Sequence, residues 1–459
     1  MPGKRSITRR RFLKRAAAGA GAGIAVPYVV PGSAATNRPC FARCPSVPAD
    51  SQTAPSERIG VGMIGVGRQT VAYNLKSFLN SPDTQVVAVC EVDACRLENA
   101  RNTVEKHYAA GKPSGTYHGC AAYGDFREVL ARDDVDAVMI STPDHWHVPM
   151  SLAAVEAGKD VSCEKPITRT IAEGRKLSDA VTRHQRVFRV DSEFRSIEVF
   201  HRTCELVRNG RIGQLQTIRV GVPAGDDVTC PPCPEMPVPE GLDYEAWQGP
   251  APRAPYTENR VHPPKSYGRP GWMRVLYYCD GMVTNWGAHL CDVAQWGNNT
   301  DRTGPVEVEG HGVYPPAESL WNVLKTFEVH YRYANGVRMI YHTESPYVRF
   351  EGSEGWIRAD FGQGGITAQP ESVLESKIAP DETHLRFKDE KTDFIDCVKT
   401  REQTLEDAEV GHRTTSLCHL GHIAVYLGQK LRWDPDAERF LDNDAANELI
   451  QKPIHWPST

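Results

Sequence analysis

Several groupings in the chain have residue types and spacing suited to chemistry. Gly65-Val66-Gly67-Arg68-Gln69-Thr70 lies between an apolar run, Ile59 to Ile64, and a segment carrying Ala72, Leu75 and Phe78 at helical spacing. Strand, glycine turn and helix start are what a dinucleotide pyrophosphate requires. The glycines admit the phosphates to the backbone, and the helix start offers free N–H groups and a positive dipole end. Gly65, Gly67, Arg68 and Gln69 are therefore candidate cofactor contacts, with Thr70 in place of a third glycine. A second G-x-G-x-x-G, at Gly60, Gly62 and Gly65, falls inside the strand and leaves no turn. Glu91 closes the next apolar run, Gln85 to Cys90, at about the 20-residue offset where an acid meets the adenosine ribose hydroxyls. A carboxylate there repels a 2′-phosphate, so NAD is expected over NADP. Asp93 competes for this role, and Arg96 softens the repulsion.

Farther along, Asn285 and His289 are four residues apart and share a face if the segment is helical. In the first turns of that helix, His289 would sit near a positive dipole end, which favours a neutral imidazole base. His145 and His147 have the spacing of zinc ligands but no third ligand nearby, so cofactor contact or packing is expected and no metal. Cys230-Pro-Pro-Cys233 has redox or metal-half-site spacing but lies in a proline-rich loop without βαβ context. A local disulfide or inert thiols are expected there.

These groups must be positioned by their elements. Apolar strands are expected at 59–64, 85–90, 136–142 and 160–163, alternating with helices. That pattern predicts an α/β Rossmann fold, a doubly wound parallel sheet with ligands at the strand C-termini. The four strand ends carry Gly65 to Thr70, Glu91, Thr142-Pro143 with His147, and Glu164-Lys165-Pro166. All four are expected to meet in one crevice. The second half predicts an α+β domain with a large, mostly antiparallel open sheet, including hairpins at 327–342 and 348–361. Between its strands runs a long irregular stretch, 223 to about 282, rich in Pro, Trp and Tyr. Stretches this long act as lids or binding walls, and Trp247, Tyr256, Trp272, Arg274 and Tyr277 suit a sugar site.

The 459-residue chain allows two domains plus extras. Residues 1–35 carry seven Lys or Arg and no acid, so without them the formal net charge moves from −5 to −12. An acidic body argues against nucleic acid as a partner. Thr8-Arg9-Arg10-Arg11-Phe12-Leu13-Lys14, a Gly/Ala-rich apolar run and Pro31-Gly-Ser-Ala-Ala35 resemble a twin-arginine export signal. The expected partition is signal 1–35, linker 36–57, Rossmann domain 58–185 and substrate and oligomerisation domain 186–459, in a periplasmic or otherwise exported protein. Of the 13 cysteines, an odd number, Cys90 and Cys163 read as buried thiols, and Cys40 and Cys44 as a possible pair.

Gly65-Val-Gly67, Thr142-Pro143 with His147, Glu164-Lys165-Pro166 and Gly287-Ala-His289 with Asp292 together resemble the glucose–fructose oxidoreductase / inositol dehydrogenase (Gfo/Idh/MocA) family. The resemblance runs from Arg58 to the C-terminus. It implies that Lys165 lies beside the nicotinamide and the reacting hydroxyl, where an ammonium polarises a carbonyl or helps deprotonate an alcohol. It puts His289 at the catalytic histidine, with Asp292 orienting helix or ring. Asn285 stands where well-studied members carry an aspartate, and an amide cannot take a proton. Arg195-Ser196 falls where members often have Gln-Arg-Ser, preceded here by Glu193 and Phe194. Arg195, Trp272, Arg274 and Tyr277 are the expected substrate contacts. The implied activity is NAD(P)-dependent oxidation of a sugar or cyclitol hydroxyl, in a dimer or tetramer that meets the twin-arginine export machinery. Free NAD is scarce outside the cytoplasm, which favours a tightly bound, internally recycled cofactor. The alternatives are an NAD-dependent glycoside hydrolase working by transient oxidation and elimination, and a sugar-binding protein with a structural cofactor.

Overall fold

Continuous apolar runs without alternation form strands buried on both faces, and the first sheet is made of them. In the computed structural model, which describes residues 57–454 apart from 113, 114, 116, 226, 227, 265 and 363, these are β1 (Ile59–Ile64), β2 (Thr84–Cys90), β3 (Ala121–Tyr123), β4 (Ala137–Ile140), β5 (Asp160–Glu164) and β6 (Phe188–Asp191). The expected export signal, all of the linker but its last residue, Cys40 and Cys44 lie outside the described residues. The six strands are parallel in the order β3-β2-β1-β4-β5-β6. The direction of winding reverses between β1 and β4, which opens a crevice at their C-terminal ends.

Two features of this sheet differ from expectation. The three-residue β3 is too short to show a period in sequence and is not among the expected strands. Residues 186–191, placed by sequence in the second domain, instead supply β6, which pairs with β5 at the sheet edge. A late helix, Glu390–Thr400, returns to cover this sheet. It sets Phe394 edge-on to Phe78 at 6.4 Å, and Lys391 forms a buried ion pair with Asp191 at the end of β6.

The second sheet has nine strands: β7 (Leu215–Val222), β8 (Glu307–Val313), β9 (Thr326–Arg332), β10 (Arg338–Thr343), β11 (Tyr347–Gly352), β12 (Trp356–Asp360), β13 (Gly365–Gln369), β14 (Leu431–Asp434) and β15 (Arg439–Leu441). Their order is β13-β12-β11-β7-β10-β9-β8-β14-β15. All neighbours are antiparallel except β7 and β10. Both expected hairpins form. β9 turns into β10 through Asn335-Gly336, where Gly336 takes a φ of +86°. β11 turns into β12 where Gly352 N–H donates to Gly355 O at 2.8 Å. Alternating side chains of β7 to β12 pack against helices Glu198–Arg208, Gly287–Asn298 and Ala408–Leu427 in one apolar core. The long stretch after β7 has a small core of its own, built on Trp247, Tyr256, Val261, Val275 and Tyr278.

Candidate active site

The glycine turn after β1 is shaped for close approach. Gly65 has φ +79°, and a Cβ there would lie 2.8 Å from the Ser141 carbonyl carbon. Thr70, the residue in place of the third glycine, donates its hydroxyl to Gly65 O at 2.7 Å and so closes the turn from within. A π-helical turn, Thr70–Asn74, then buries Asn74. Its amide donates to Glu164 Oε1 at 2.8 Å and Ser141 Oγ at 3.1 Å, which joins the turn to the ends of β4 and β5.

Glu91 holds its place by accepting backbone N–H groups, from Val66 at 3.0 Å on Oε2 and from Val92 at 2.8 Å and Asp93 at 3.2 Å on Oε1. An oxygen that takes one N–H keeps a lone pair for a further donor. Asp93 is already engaged: it caps helix Ala94–His107 by accepting Arg96 N–H and meets His262 Nε2 at 3.0 Å. Burial acts against its ionisation, but His262 and Arg96 outweigh it and hold the carboxyl below its usual range. Glu91, on the crevice wall, is thus the carboxylate available to a ribose.

The crevice is a cavity of about 810 Å³. Every cofactor residue expected from sequence lines it: Gly65, Gly67, Arg68, Gln69, Glu91, Thr142, Pro143, His147, Glu164 and Lys165. Thr142 Oγ1, on that wall, is buried without a hydrogen-bond partner, so it suits a polar group of a bound dinucleotide. His147 fixes the two strand ends, its ring nitrogens lying 2.7 Å from Pro166 O and 2.9 Å from Thr142 O. Burial pushes its pKa down to about 4, so the neutral ring donates to one of them. His145 is buried against Trp247 and Tyr278. Among the described residues, no group of three His, Cys, Asp or Glu side chains is arranged to hold a metal.

Lys165 stands where the two halves meet. The helix expected through Asn285 and His289 is interrupted at Trp286, giving Met282–Asn285 and Gly287–Asn298. His289 N–H bonds back to Trp286 O at 3.1 Å rather than to the Asn285 carbonyl four residues before it. Lys165 Nζ donates to that Asn285 carbonyl at 3.2 Å. The interruption therefore turns a helix carbonyl into an anchor for the ammonium.

His289 is buried outside the cavity lining. Its ring stacks on Phe194 at 4.5 Å, and its Nδ1 lies 3.0 Å from Ser192 Oγ and 3.7 Å from Glu193 Oε2. Burial first, and then the Lys165 charge, hold its pKa well below the usual imidazole value. Neutrality thus has a different origin from the helix dipole expected in the sequence. Asp144, which the sequence reading passed over just before the more conspicuous His145 and His147, is a buried residue of the cavity wall. Burial raises its pKa to about 8 against the opposing charges of Arg169 and Lys165, so it is mostly protonated at neutral pH.

Arg169, also missed, sets this geometry from behind. Its guanidinium is buried and bonds to Asp280 Oδ2 at 2.8 Å, Leu276 O at 2.7 Å and Tyr277 O at 3.0 Å. It thereby fixes the chain that leads into Asn285.

The expected substrate contacts separate. Trp272 lines the cavity, and so does Asn285. Arg274 does not: its guanidinium lies over the Trp321 ring at 4.4 Å and donates to Pro270 O. Tyr277 lies off the lining and offers its carbonyl to Arg169. Arg195 is a correction. Its buried guanidinium forms a two-pronged pair with Asp292, at 2.7 and 2.6 Å, and reaches Asp301 at 3.1 Å. Asp292 is consumed by that pair and by Thr414, and so orients Arg195 rather than the His289 ring.

The irregular stretch forms a strap over the adenosine end of the crevice. Asp243 N–H donates to Val92 O at 3.0 Å, and Ala94 N–H to Gly241 O at 2.9 Å. Arg96 Nη2 donates to Ser266 O at 2.9 Å and Pro263 O at 3.2 Å, and Asn99 Nδ2 to the Tyr267 hydroxyl at 2.8 Å. Trp146 Nε1 reaches Trp247 O at 3.1 Å. The strap is thus bonded to the same β2–helix segment that carries Glu91.

Comparison with known proteins agrees with this architecture. Residues 59–192 match the oxidoreductase family's NAD-binding Rossmann fold, and residues 228–459 match its C-terminal alpha/beta domain. A glycosyl hydrolase family 109 protein of Saccharopolyspora erythraea is 34% identical over 208 residues, 45% of this chain and 44% of that protein. An uncharacterized oxidoreductase of Rhizobium meliloti is 30% identical over 158 residues, 34% of this chain and 43% of that protein. The chain thus spans less than half the length of these curated relatives. Among solved structures, GenD2 from gentamicin A biosynthesis in complex with NAD superposes with a TM-score of 0.60 at 16% identity, covering 85% of this chain and 99% of that one. Aldose-aldose oxidoreductase from Caulobacter crescentus superposes with a TM-score of 0.58 at 18% identity, covering 82% and 99%. At these identities the structural likeness shows the fold. With both family domains matched in order, an NAD-binding Rossmann half followed by the C-terminal half, the chain belongs to the Gfo/Idh/MocA family of oxidoreductases.

Proposed function

We propose that this protein oxidises and reduces sugar or cyclitol hydroxyls with an NAD that stays bound between the two half-reactions, and that it does so outside the cytoplasm. One observation carries the reading: a single cavity holds the glycine turn, Glu91, Lys165 and Asn285, with the strap bonded across its adenosine end. NAD, when bound, supplies the carbon that takes and returns a hydride. The chain supplies the rest. Lys165, held by the Asn285 carbonyl, keeps N–H donors free for a substrate oxygen and stabilises the charge that develops there. His289 is neutral and able to accept a proton, and Glu193, whose carboxyl burial raises to a pKa of about 7, lies 3.7 Å from its Nδ1 as a partner that can share that proton. The strap is bonded to the segment that carries Glu91, over one end of the crevice, which supports recycling over exchange.

Protein purified without added nucleotide is expected to carry NAD and to develop reduced-nicotinamide fluorescence when given a donor sugar. The signal should then disappear on adding an acceptor sugar. Absence of bound nucleotide, or a signal that requires free NAD, contradicts the recycling. A second reading rests on the names of the first curated relatives: release of an aryl group from an aryl glycoside, with no lasting reduction of the cofactor, would identify a hydrolase.

A further inference from the structure

The cysteine pair unused by the nicotinamide chemistry lies at the root of the strap. Cys230 Sγ and Cys233 Sγ are 3.7 Å apart across Pro231 and Pro232. The ring of each proline fixes one backbone angle, so half of the four-residue loop is already restricted. Cys233 is tied towards the cavity wall, and Cys230 to the segment at Leu320. The Cys230 carbonyl accepts Leu320 N–H at 2.8 Å, and Cys233 Sγ accepts Asn259 Nδ2 at 3.3 Å. Asn259 passes the contact on: its carbonyl accepts Trp321 Nε1 at 2.8 Å and lies where a Cβ on Gly271 would come within 1.9 Å. Gly271 adjoins Trp272 and Met273, which line the cavity. Cys291 and Cys418 also neighbour each other, but both are fully buried and closed to an oxidant, whereas Cys233 is half-buried and reachable.

We propose that Cys230 and Cys233 form a disulfide that locks the root of the strap against the cavity wall. The oxidant is a disulfide, R–S–S–R, of a small thiol or of an oxidising protein. Cys233, as thiolate, attacks one of its sulfurs, so that the R–S–S–R bond breaks, a mixed disulfide forms and one R–SH leaves. Cys230, as thiolate, then attacks Cys233 Sγ, forms the intraloop bond and expels the second R–SH. The pair loses two electrons and two protons, and the oxidant gains both. Burial and the adjacent Cys233 thiol raise the Cys230 pKa, which is consistent with Cys233 reacting first.

The test uses the whole purified protein incubated with oxidised glutathione or with a phosphine reductant, then alkylated with iodoacetamide and digested. Trypsin cuts after Arg219 and Arg253, which leaves Cys230 and Cys233 in one peptide with no other cysteine. After oxidation this peptide is expected unlabelled and lighter by the mass of two hydrogens; after reduction it is expected to carry two labels. Two labels after oxidation, or a lasting glutathione adduct, would overturn the site. Hydrogen exchange of residues 257–274 is expected to be several-fold slower in the oxidised protein than in the reduced protein or in the Cys230→Ser, Cys233→Ser variant. Equal exchange in all three would overturn the lock. Neither readout involves sugar turnover, so failure here is distinct from failure of the recycling mechanism.

Discussion

Lys165→Ala is expected to lower sugar turnover by about 10²–10³-fold, the loss that follows removal of one donor aimed at a developing oxyanion. The bound nucleotide should remain in place, because the contacts proposed for it, at Gly65, Glu91 and the strap, do not involve this side chain. The effect should fall on kcat more than on KM, since the ammonium is worth most when charge builds on the substrate oxygen. Lys165→Arg should rescue little. A guanidinium is a planar fork that cannot reproduce a compact ammonium resting on the Asn285 carbonyl. Single-turnover reduction of the bound cofactor measures this directly. Full activity in Lys165→Ala would remove the residue from the chemistry.

Arg195→Met is expected to act on stability. The side chain is buried and paired to Asp292 through two hydrogen bonds. Removing one partner of such a pair leaves a buried charge uncompensated and costs about 3–5 kcal/mol. Burial already raises the Asp292 pKa, and the Arg195 charge is the main force opposing that rise. Without Arg195 the folded-state pKa rises further above the unfolded value. Below the unfolded pKa, about 4, Asp292 is protonated in both states and adds no penalty. The deficit therefore grows as pH rises from there towards the raised folded value. Denaturant unfolding at several pH values checks both size and sign. A variant of unchanged stability with a raised KM for sugar would instead make Arg195 a substrate contact.

The difference between these two residues shows what the sequence could convey. The glycine turn, the apolar strands and the strand-end residues were legible because each is local: a period, a turn or an offset of a few tens of residues. Lys165 was legible through its place in Glu164-Lys165-Pro166. Arg195 was assigned to substrate from its place in the family pattern, while its partner Asp292 is 97 residues away and its burial has no local sign. The strap was visible only as missing periodicity, since its bonds to Val92, Ala94 and Arg96 are irregular and long-range. The interruption at Trp286 was hidden because the segment on either side of it reads as helix. Asp144 and Arg169 were overlooked because a single charge in a strand-to-helix connection resembles any solvated one until the fold buries it.

One bound nicotinamide is proposed to pass a hydride from the carbinol carbon of a donor sugar to the carbonyl carbon of an acceptor. A donor sugar carrying deuterium on its carbinol carbon, given together with an unlabelled acceptor to the purified protein, tests it directly. Deuterium is expected on the acceptor carbon and transiently on the protein-bound cofactor, with none in free NADH and none lost to water. Deuterium recovered in free NADH, or washed out to solvent, would contradict it.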